Sequence, residues 1–117
     1  MAKHIQTGKN GERLAIAWLA DKGYSILYRN WRYSHYEIDI IASFKDVLHF
    51  IEVKTRTGNS YGWPEESVSK TKFKHLQMAA DEFQFLYPEW KRVQYDILSI
   101  IQYNSTTKCF FIEDVYL

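Results

Sequence analysis

The chain has 117 residues, is 46% hydrophobic and carries a formal net charge of +1, which predicts a single domain over residues 1–117 with one apolar core. This near-neutral balance does not indicate a strongly basic nucleic-acid binder, and the solitary Cys109 excludes an internal disulfide. No stretch resembles a signal peptide or a membrane span, so we predict a cytoplasmic protein without membrane contacts.

The first predicted element is a helix from about Thr7 or Asn10, both candidate caps, to Lys22, with Gly23 as the expected stop. Its apolar stripe consists of Leu14, Ala15, Trp18 and Leu19. Glu12 falls in the first turn at the edge of this stripe, where the helix dipole favours an acid. Alternatively, Glu12 points along the packed face as a further metal or water ligand.

A strand is predicted next, from Tyr24 to Trp31, because apolar and polar residues alternate there. Trp31 is expected to cover the edge of the sheet. Arg29 and Arg32 either contact the phosphates of a nucleic acid or are simply solvated.

The segment from Tyr36 to Thr55 contains two apolar-rich runs, which predict a hairpin with a two-residue turn at Lys45-Asp46. Four charged residues interrupt the runs: Glu37, Asp39, Glu52 and Lys54. Strict alternation places Glu37, Asp39 and Ile41 on one face, opposite Ile38, Ile40 and Ala42. With this turn, Asp39 lies opposite Glu52 and Glu37 lies opposite Lys54. A turn at Phe44-Lys45 is the alternative; it would shift the partners by two and leave all four charged groups on one face.

Facing carboxylates repel each other, so Asp39 and Glu52 are expected either to be solvated or to hold a cation. Mg²⁺ typically takes one or two carboxylates and keeps several waters. Lys54 would stand beside the ion and steady an attacking water or the charge that develops on phosphorus. The set suits metal-assisted phosphodiester hydrolysis, although charges near strand ends are usually just solvated.

A loop is predicted from Arg56 to Pro64, and a second helix from the Pro64 to Ser69 region to about Leu86. The early turns of this helix carry three lysines: Lys70, Lys72 and Lys74. Free N–H groups at a helix start and clustered lysines favour phosphate, so these residues and Arg56 are candidate nucleic-acid contacts. A solvated basic turn is the alternative.

Two strands close the chain, Val93 to Ile101 and Cys109 to Tyr116, separated by a turn at Asn104 to Thr107. Asp96 lies in the middle of the first of these strands. It is either a core-edge acid with a backbone partner or a group that supports the candidate site, as Glu37 also would be.

Several short motifs occur in the order seen in the YraN-like family of small bacterial proteins, which the chain therefore resembles over nearly its entire length. They are Gly8-x-x-Gly11-Glu12, Gly23-Tyr24, Arg29-Asn30-Trp31-Arg32, Glu37-Ile38-Asp39, Phe50-Ile51-Glu52-Val53-Lys54-Thr55-Arg56, Tyr61-Gly62-Trp63-Pro64-Glu65-Glu66 and Tyr95-Asp96-Ile97. Two positions depart from the pattern: Tyr36 stands where the family often has Gly, and Gln94 where it often has Arg.

This resemblance implies an α/β restriction endonuclease-like fold of the PD-(D/E)xK nuclease superfamily, with a central mixed sheet of about five strands in the order α-β-β-β-α-β-β. It implies Mg²⁺ or Mn²⁺ held by Asp39, Glu52 and the Val53 carbonyl, with Lys54 and Glu12 completing a catalytic site. The helix acid also resembles that of archaeal Holliday junction resolvases, which makes branched DNA the substrate to test.

A second function fits the same fold, because fold alone does not decide function. The chain would then be a non-catalytic nucleic-acid-binding or scaffolding module. A homodimer, which two symmetric cuts would require, is left open by the sequence.

Overall fold

The computed structural model describes residues 2–57, 70–103 and 105–115. The elements are α1 (Ala2–Asp21), β1 (Ser25–Tyr33), β2 (Tyr36–Phe44), β3 (Val47–Thr57), α2 (Lys70–Leu86), β4 (Val93–Tyr103) and β5 (Thr106–Ile112). The predicted order α-β-β-β-α-β-β is confirmed. Neither described helix is long and apolar enough to cross a membrane.

The five strands form one mixed sheet in the order β1-β2-β3-β4-β5. Only β3 and β4 run parallel, and α2 provides the crossover between them. One face packs against α2 through Phe50, Phe73, Ala80 and Phe83. The other face packs against α1 through Ala15, Leu19, Ile51 and Leu98. The sheet is therefore the middle layer between two helices.

Helix α1 begins at Ala2 rather than at the predicted caps Thr7 or Asn10, so the predicted start is wrong. The helix continues through Gly11, where the backbone lies very close to β3. A Cβ atom at Gly11 would clash with the Thr55 hydroxyl oxygen. Glycine thus serves close packing of the helix on the sheet there rather than helix termination.

The hairpin between β2 and β3 has the predicted turn and register. Lys45 and Asp46 have φ values of 49° and 64°, as the two central residues of a type I′ turn require. Pairing runs from Phe44 with Val47 to Ile40 with Ile51. The turn therefore sets which residues of the two runs lie near each other.

The alternation of faces breaks where Asn30 of β1 lies beside Asp39 of β2. Asn30 has a φ of 52°, a left-handed conformation in which Asn is enriched. Tyr28 and Trp31 both pack against Phe83 although they are three residues apart in one strand. Ile38 likewise joins the α2-side core, so its predicted placement with Ile40 and Ala42 is wrong.

The remaining element ends differ by a few residues from the prediction. Strand β1 extends to Tyr33, β4 extends to Tyr103, and β5 spans Thr106–Ile112, so the predicted turn at Asn104 to Thr107 is too long. The predicted end of β5 at Tyr116 is wrong, because the chain bends at Asp114, which has a φ of 58°. Helix α2 ends at Leu86 as predicted, whereas its predicted start and most of the Arg56 to Pro64 loop lie outside the described residues.

Candidate active site

The candidate site forms where β2 and β3 separate. Their ladder ends at the pair Ile40 and Ile51, one residue before the predicted opposition of Asp39 and Glu52. Instead, Asp39 Oδ2 accepts a hydrogen bond from the backbone N–H of Val53 at 2.8 Å. A side chain thus replaces the next ladder bond, and it brings the Asp39 carboxylate onto β3 beside Glu52.

The environment of Asp39 disfavours its negative charge. Burial raises the pKa of Asp39 to about 7, and the neighbouring Glu52 carboxylate contributes to the rise. The Val53 N–H bond and the positive charge of Lys72 lower this pKa but do not offset the rise. Burial is thus the main cause of the raised pKa, and the second carboxylate adds to it.

Two lysines stand against Glu52, whose side chain is 8% exposed. Lys54 Nζ lies 3.6 Å from Glu52 Oε1, and Lys72 Nζ of α2 lies 2.5 Å from the same oxygen. Burial lowers the pKa of Lys54, and the contact with Lys72 lowers it further. Burial would also lower the pKa of Lys72, but its hydrogen bonds to Glu52 and Lys54 leave it raised.

An open cavity of about 280 Å³ gives access to these groups. Its described lining is His35, Tyr36, Glu37, Asp39, Glu52, Lys72, His75 and Leu76. The acids and Lys72 are the charged groups of this lining. The rings of His35, Tyr36 and His75 contact one another and form an aromatic cluster that the sequence analysis did not predict.

Glu12 reaches the site region through an intermediate residue rather than directly. With its amide nitrogen turned toward the acids, Asn30 donates to Glu37 Oε1 at 2.9 Å and to Glu12 Oε1 at 3.3 Å. Glu37 also forms an ion pair with Arg32 at 3.0 Å. The predicted opposition of Glu37 and Lys54 is therefore not part of the described ladder, and Glu12 is absent from the described lining of the cavity.

Asp96 belongs to a separate buried network. Its side chain is fully buried, and Oδ2 lies 2.6 Å from His49 Nδ1. Oδ1 accepts hydrogen bonds from the Gln94 amide and from the backbone N–H of Asp114, both at 2.9 Å. Asp96 therefore has the backbone partner that the core-edge interpretation expects, and Gln94 contacts the same carboxylate.

The other candidate nucleic-acid contacts are basic residues whose side chains differ in exposure. Arg29 and Lys74 are exposed, Arg32 is exposed but paired with Glu37, and Arg56 is half-buried. The side chain of Lys70 lies outside the described residues. Lys72, predicted as part of the same outer basic patch, instead reaches inward to Glu52.

The side chains of the candidate site suit some metal ions and not others. Among residues 2–57, 70–103 and 105–115, no group of three or more His, Cys, Asp and Glu side chains could hold a metal ion. A structural zinc site needs such a closed set, whereas Mg²⁺ needs only one or two carboxylates and retained waters. Asp39 and Glu52 fit a hard divalent cation, whose positive charge would stabilise the ionised form of Asp39.

Comparison with known proteins gives a consistent family. The sequence profile described as "Uncharacterised protein family UPF0102" matches residues 11–100. The chain is 38% identical over 116 residues to a UPF0102 protein of Bacteroides thetaiotaomicron, covering 99% of this chain and 96% of that protein. It is 35% identical over 116 residues to one of Flavobacterium psychrophilum, with 99% and 98% coverage. A Rhodococcus opacus relative is 39% identical over 102 residues, with 86% coverage of each chain.

Proposed function

The chain belongs to the uncharacterised protein family UPF0102, and we propose that it is a Mg²⁺- or Mn²⁺-dependent nuclease that hydrolyses phosphodiester bonds in DNA, with branched DNA as the first candidate substrate. The observation that carries the proposal is that Asp39 and Glu52 line one accessible cavity, with Lys54 Nζ 3.6 Å from the Glu52 carboxylate. This is the acid-acid-lysine set on which the resemblance to PD-(D/E)xK nucleases rests.

In this proposal Asp39 and Glu52 hold the cation, together with the backbone carbonyl of Val53. The ion, when bound, supplies Lewis-acid chemistry by activating water and neutralising phosphate charge. Asp39 is fixed on β3 by its hydrogen bond from the Val53 N–H. This contact holds the carboxylate in place before any ligand arrives, as preorganised sites require.

Lys54 is assigned to the reacting phosphate and water. It extends from the same strand face as Glu52, and its Nζ lies 3.6 Å from the Glu52 carboxylate. Its lowered pKa, which burial causes first, makes the ammonium readier to give up a proton at neutral pH than a solvated lysine. Lys54 Nζ would orient the attacking water and stabilise negative charge that develops on the phosphate oxygens.

Lys72 is proposed to act in two ways, which follow from its contact with Glu52. Without a divalent cation, Lys72 supplies the positive charge next to this carboxylate. A cation at Glu52 would compete with that ion pair, and the released ammonium, which lines the same cavity, would then bind a phosphate oxygen of the substrate. Lys72 thus changes from a counter-ion of Glu52 to a phosphate ligand.

The test is cleavage of end-labelled linear, flapped and four-way DNA in Mg²⁺ or Mn²⁺. We expect wild-type protein to cleave at least one substrate, and Asp39→Asn and Lys54→Met to be at least about 100-fold slower, as for the loss of one catalytic group. Lys91→Met, an exposed lysine outside the cavity, is the matched control and should retain wild-type activity. Circular dichroism would establish that each variant is folded.

Wild-type protein that binds DNA but cleaves none of these substrates in either metal would contradict the proposal. It would favour the alternative of a nucleic-acid-binding or scaffolding module. Equal cleavage by wild-type and folded Asp39→Asn protein would also contradict the assigned site, and would indicate a contaminating nuclease.

A further inference from the structure

We propose that the aromatic cluster of His35, Tyr36 and His75 is a binding site for one unpaired nucleobase next to the scissile phosphate. This inference rests on the proposed function, because it takes the phosphate to lie at the acids and lysines of the same cavity. It adds a base-binding subsite and thereby a preference for DNA with a single-stranded segment.

The first argument is where the three rings lie. His35 comes from the connection between β1 and β2, Tyr36 begins β2, and His75 comes from the second turn of α2. The Tyr36 ring centroid lies 4.2 Å from that of His35 and 4.8 Å from that of His75. All three residues line the cavity that also contains Asp39 and Glu52. A nucleotide held by its phosphate at the acids therefore has aromatic surface within the same cavity.

The second argument is that the two imidazoles are not core residues. His35 and His75 are both exposed, whereas Tyr36 is half-buried and packs against the α2-side core. Both imidazole rings are tilted by 43° to the Tyr36 ring, so neither is stacked parallel on it. Exposed aromatic surface beside phosphate-binding groups is what proteins use to stack the bases of single strands.

The third argument is size. At about 280 Å³, the cavity lies near the lower end of the range of small-molecule sites, which is about 300–1,000 Å³. A volume of this order fits a single nucleotide rather than a segment of duplex. A base in a duplex is covered by its neighbours, so only a base outside the stack can reach such a pocket. The cluster therefore selects DNA ends, flaps or junctions over continuous duplex.

The experiment measures binding in Ca²⁺ and again in chelator, so that it does not depend on cleavage. The probes are a short single-stranded oligonucleotide carrying 2-aminopurine and a blunt duplex of the same sequence. Wild-type protein should quench the aminopurine fluorescence of the single strand because stacking quenches this base. Tyr36→Leu should abolish the quenching and lower the ratio of single-strand to duplex affinity about tenfold, as expected for one base–aromatic stack.

Two variants separate stacking from general damage. Tyr36→Phe keeps the aromatic ring and should behave like wild type. Tyr33→Leu removes a tyrosine that is 42% exposed at the end of β1 but does not line the cavity, and it should leave the affinity ratio unchanged. An unchanged ratio in folded Tyr36→Leu protein, an equal loss for duplex, or wild-type binding without quenching would each overturn the inference.

The outcomes also distinguish this inference from the proposed nuclease activity. Quenching that depends on Tyr36, in a protein that cleaves no DNA, would support the base site and contradict the nuclease proposal. Cleavage that depends on Asp39, without quenching that depends on Tyr36, would support the nuclease proposal and overturn the base site.

Discussion

Two aspartates flank β3, and their surroundings are opposite. Asp96 on β4 is 1% exposed, and both of its oxygens have hydrogen-bond partners in His49, Gln94 and the Asp114 N–H. Asp39 on β2 has the Val53 N–H as its backbone donor, and it stands beside the carboxylate of Glu52. Asp96 thus has a hydrogen-bond partner for each carboxylate oxygen. The environment of Asp39, in contrast, disfavours its negative charge.

The different surroundings of Asp96 and Asp39 indicate different roles for the two acids. Burial of a charge without adequate partners costs free energy, and it persists in folded proteins mainly where function requires it. Asp96 holds the segment after β5 on the sheet, because it accepts a hydrogen bond from the Asp114 N–H. The next residue, Val115, donates to the Tyr95 carbonyl at 2.7 Å. Asp39 accepts one described backbone hydrogen bond, from the Val53 N–H, and it faces an accessible cavity.

The largest expected effect is the loss of the Asp96 network. Asp96→Ala would leave His49 and the Asp114 N–H without their acceptor, so we expect the free energy of unfolding to fall by about 3–5 kcal/mol. Urea denaturation at pH 7 measures this change. Asp81→Ala removes an exposed acid of α2 and should change stability by less than about 0.5 kcal/mol. A loss no larger than this in Asp96→Ala would contradict the assigned structural role.

A smaller change of opposite sign is expected at Asp39. Its folded pKa of about 7 exceeds its ordinary value of 3.8, so the folded state binds a proton that the unfolded state has lost. Wild-type stability should therefore be highest below about pH 4 with respect to this group, and should fall as the pH rises toward 7. Asp39→Asn keeps an oxygen to accept from Val53 and should be about 1–3 kcal/mol more stable than wild type at pH 8 in chelator.

Urea denaturation of both proteins between pH 4 and 8 tests this expectation. Asp46→Asn, which replaces an exposed acid of the same hairpin, is the matched control for exchanging a carboxylate for an amide. Asp39→Asn that is less stable than wild type at pH 8 would mean that the Asp39 charge is well compensated in the folded protein.

The smallest effect concerns Lys72, whose side chain is 46% exposed. Lys72→Met should lower stability in chelator by about 0.5–1 kcal/mol, because a partly exposed ion pair contributes little and Lys54 remains near Glu52. The same variant should bind Mg²⁺ several-fold more tightly, since a competing cation has been removed. Lys74→Met, on the exposed side of the same helix, should change neither quantity. Weaker Mg²⁺ binding by Lys72→Met would contradict the assigned competition at Glu52.

Local patterns in the sequence were sufficient for the β2–β3 hairpin, whereas the five-stranded mixed sheet was expected from the family resemblance. The alternating runs and the Lys45-Asp46 turn predicted the β2–β3 register that the structure confirms. That register depends on residues close together in the chain, so pattern and turn chemistry determine it. The paired register ends one residue short of the two acids, and the hydrogen bond from the Val53 N–H then brings Asp39 beside Glu52.

The features that were missed depend on contacts between distant elements. The alternation of faces breaks at Asn30, which has a left-handed backbone and donates to carboxylates of α1 and β2. The alternation of apolar and polar residues along β1 does not reveal these contacts. The inward path of Lys72 depends on how α2 packs over the sheet. The close approach of Gly11 to Thr55 depends in the same way on how α1 packs over β3. Tertiary packing overrides local preference at each of these positions.

The most direct test of the central claim is a calorimetric titration of Mg²⁺ and Mn²⁺ into folded wild-type and Asp39→Asn protein, each with and without a non-cleavable DNA analogue. The account predicts saturable binding by wild type that is lost in Asp39→Asn under the same conditions, because the two carboxylates form the cation site together. Equal binding by the two proteins, or no binding by wild type even with the DNA analogue present, would contradict the account.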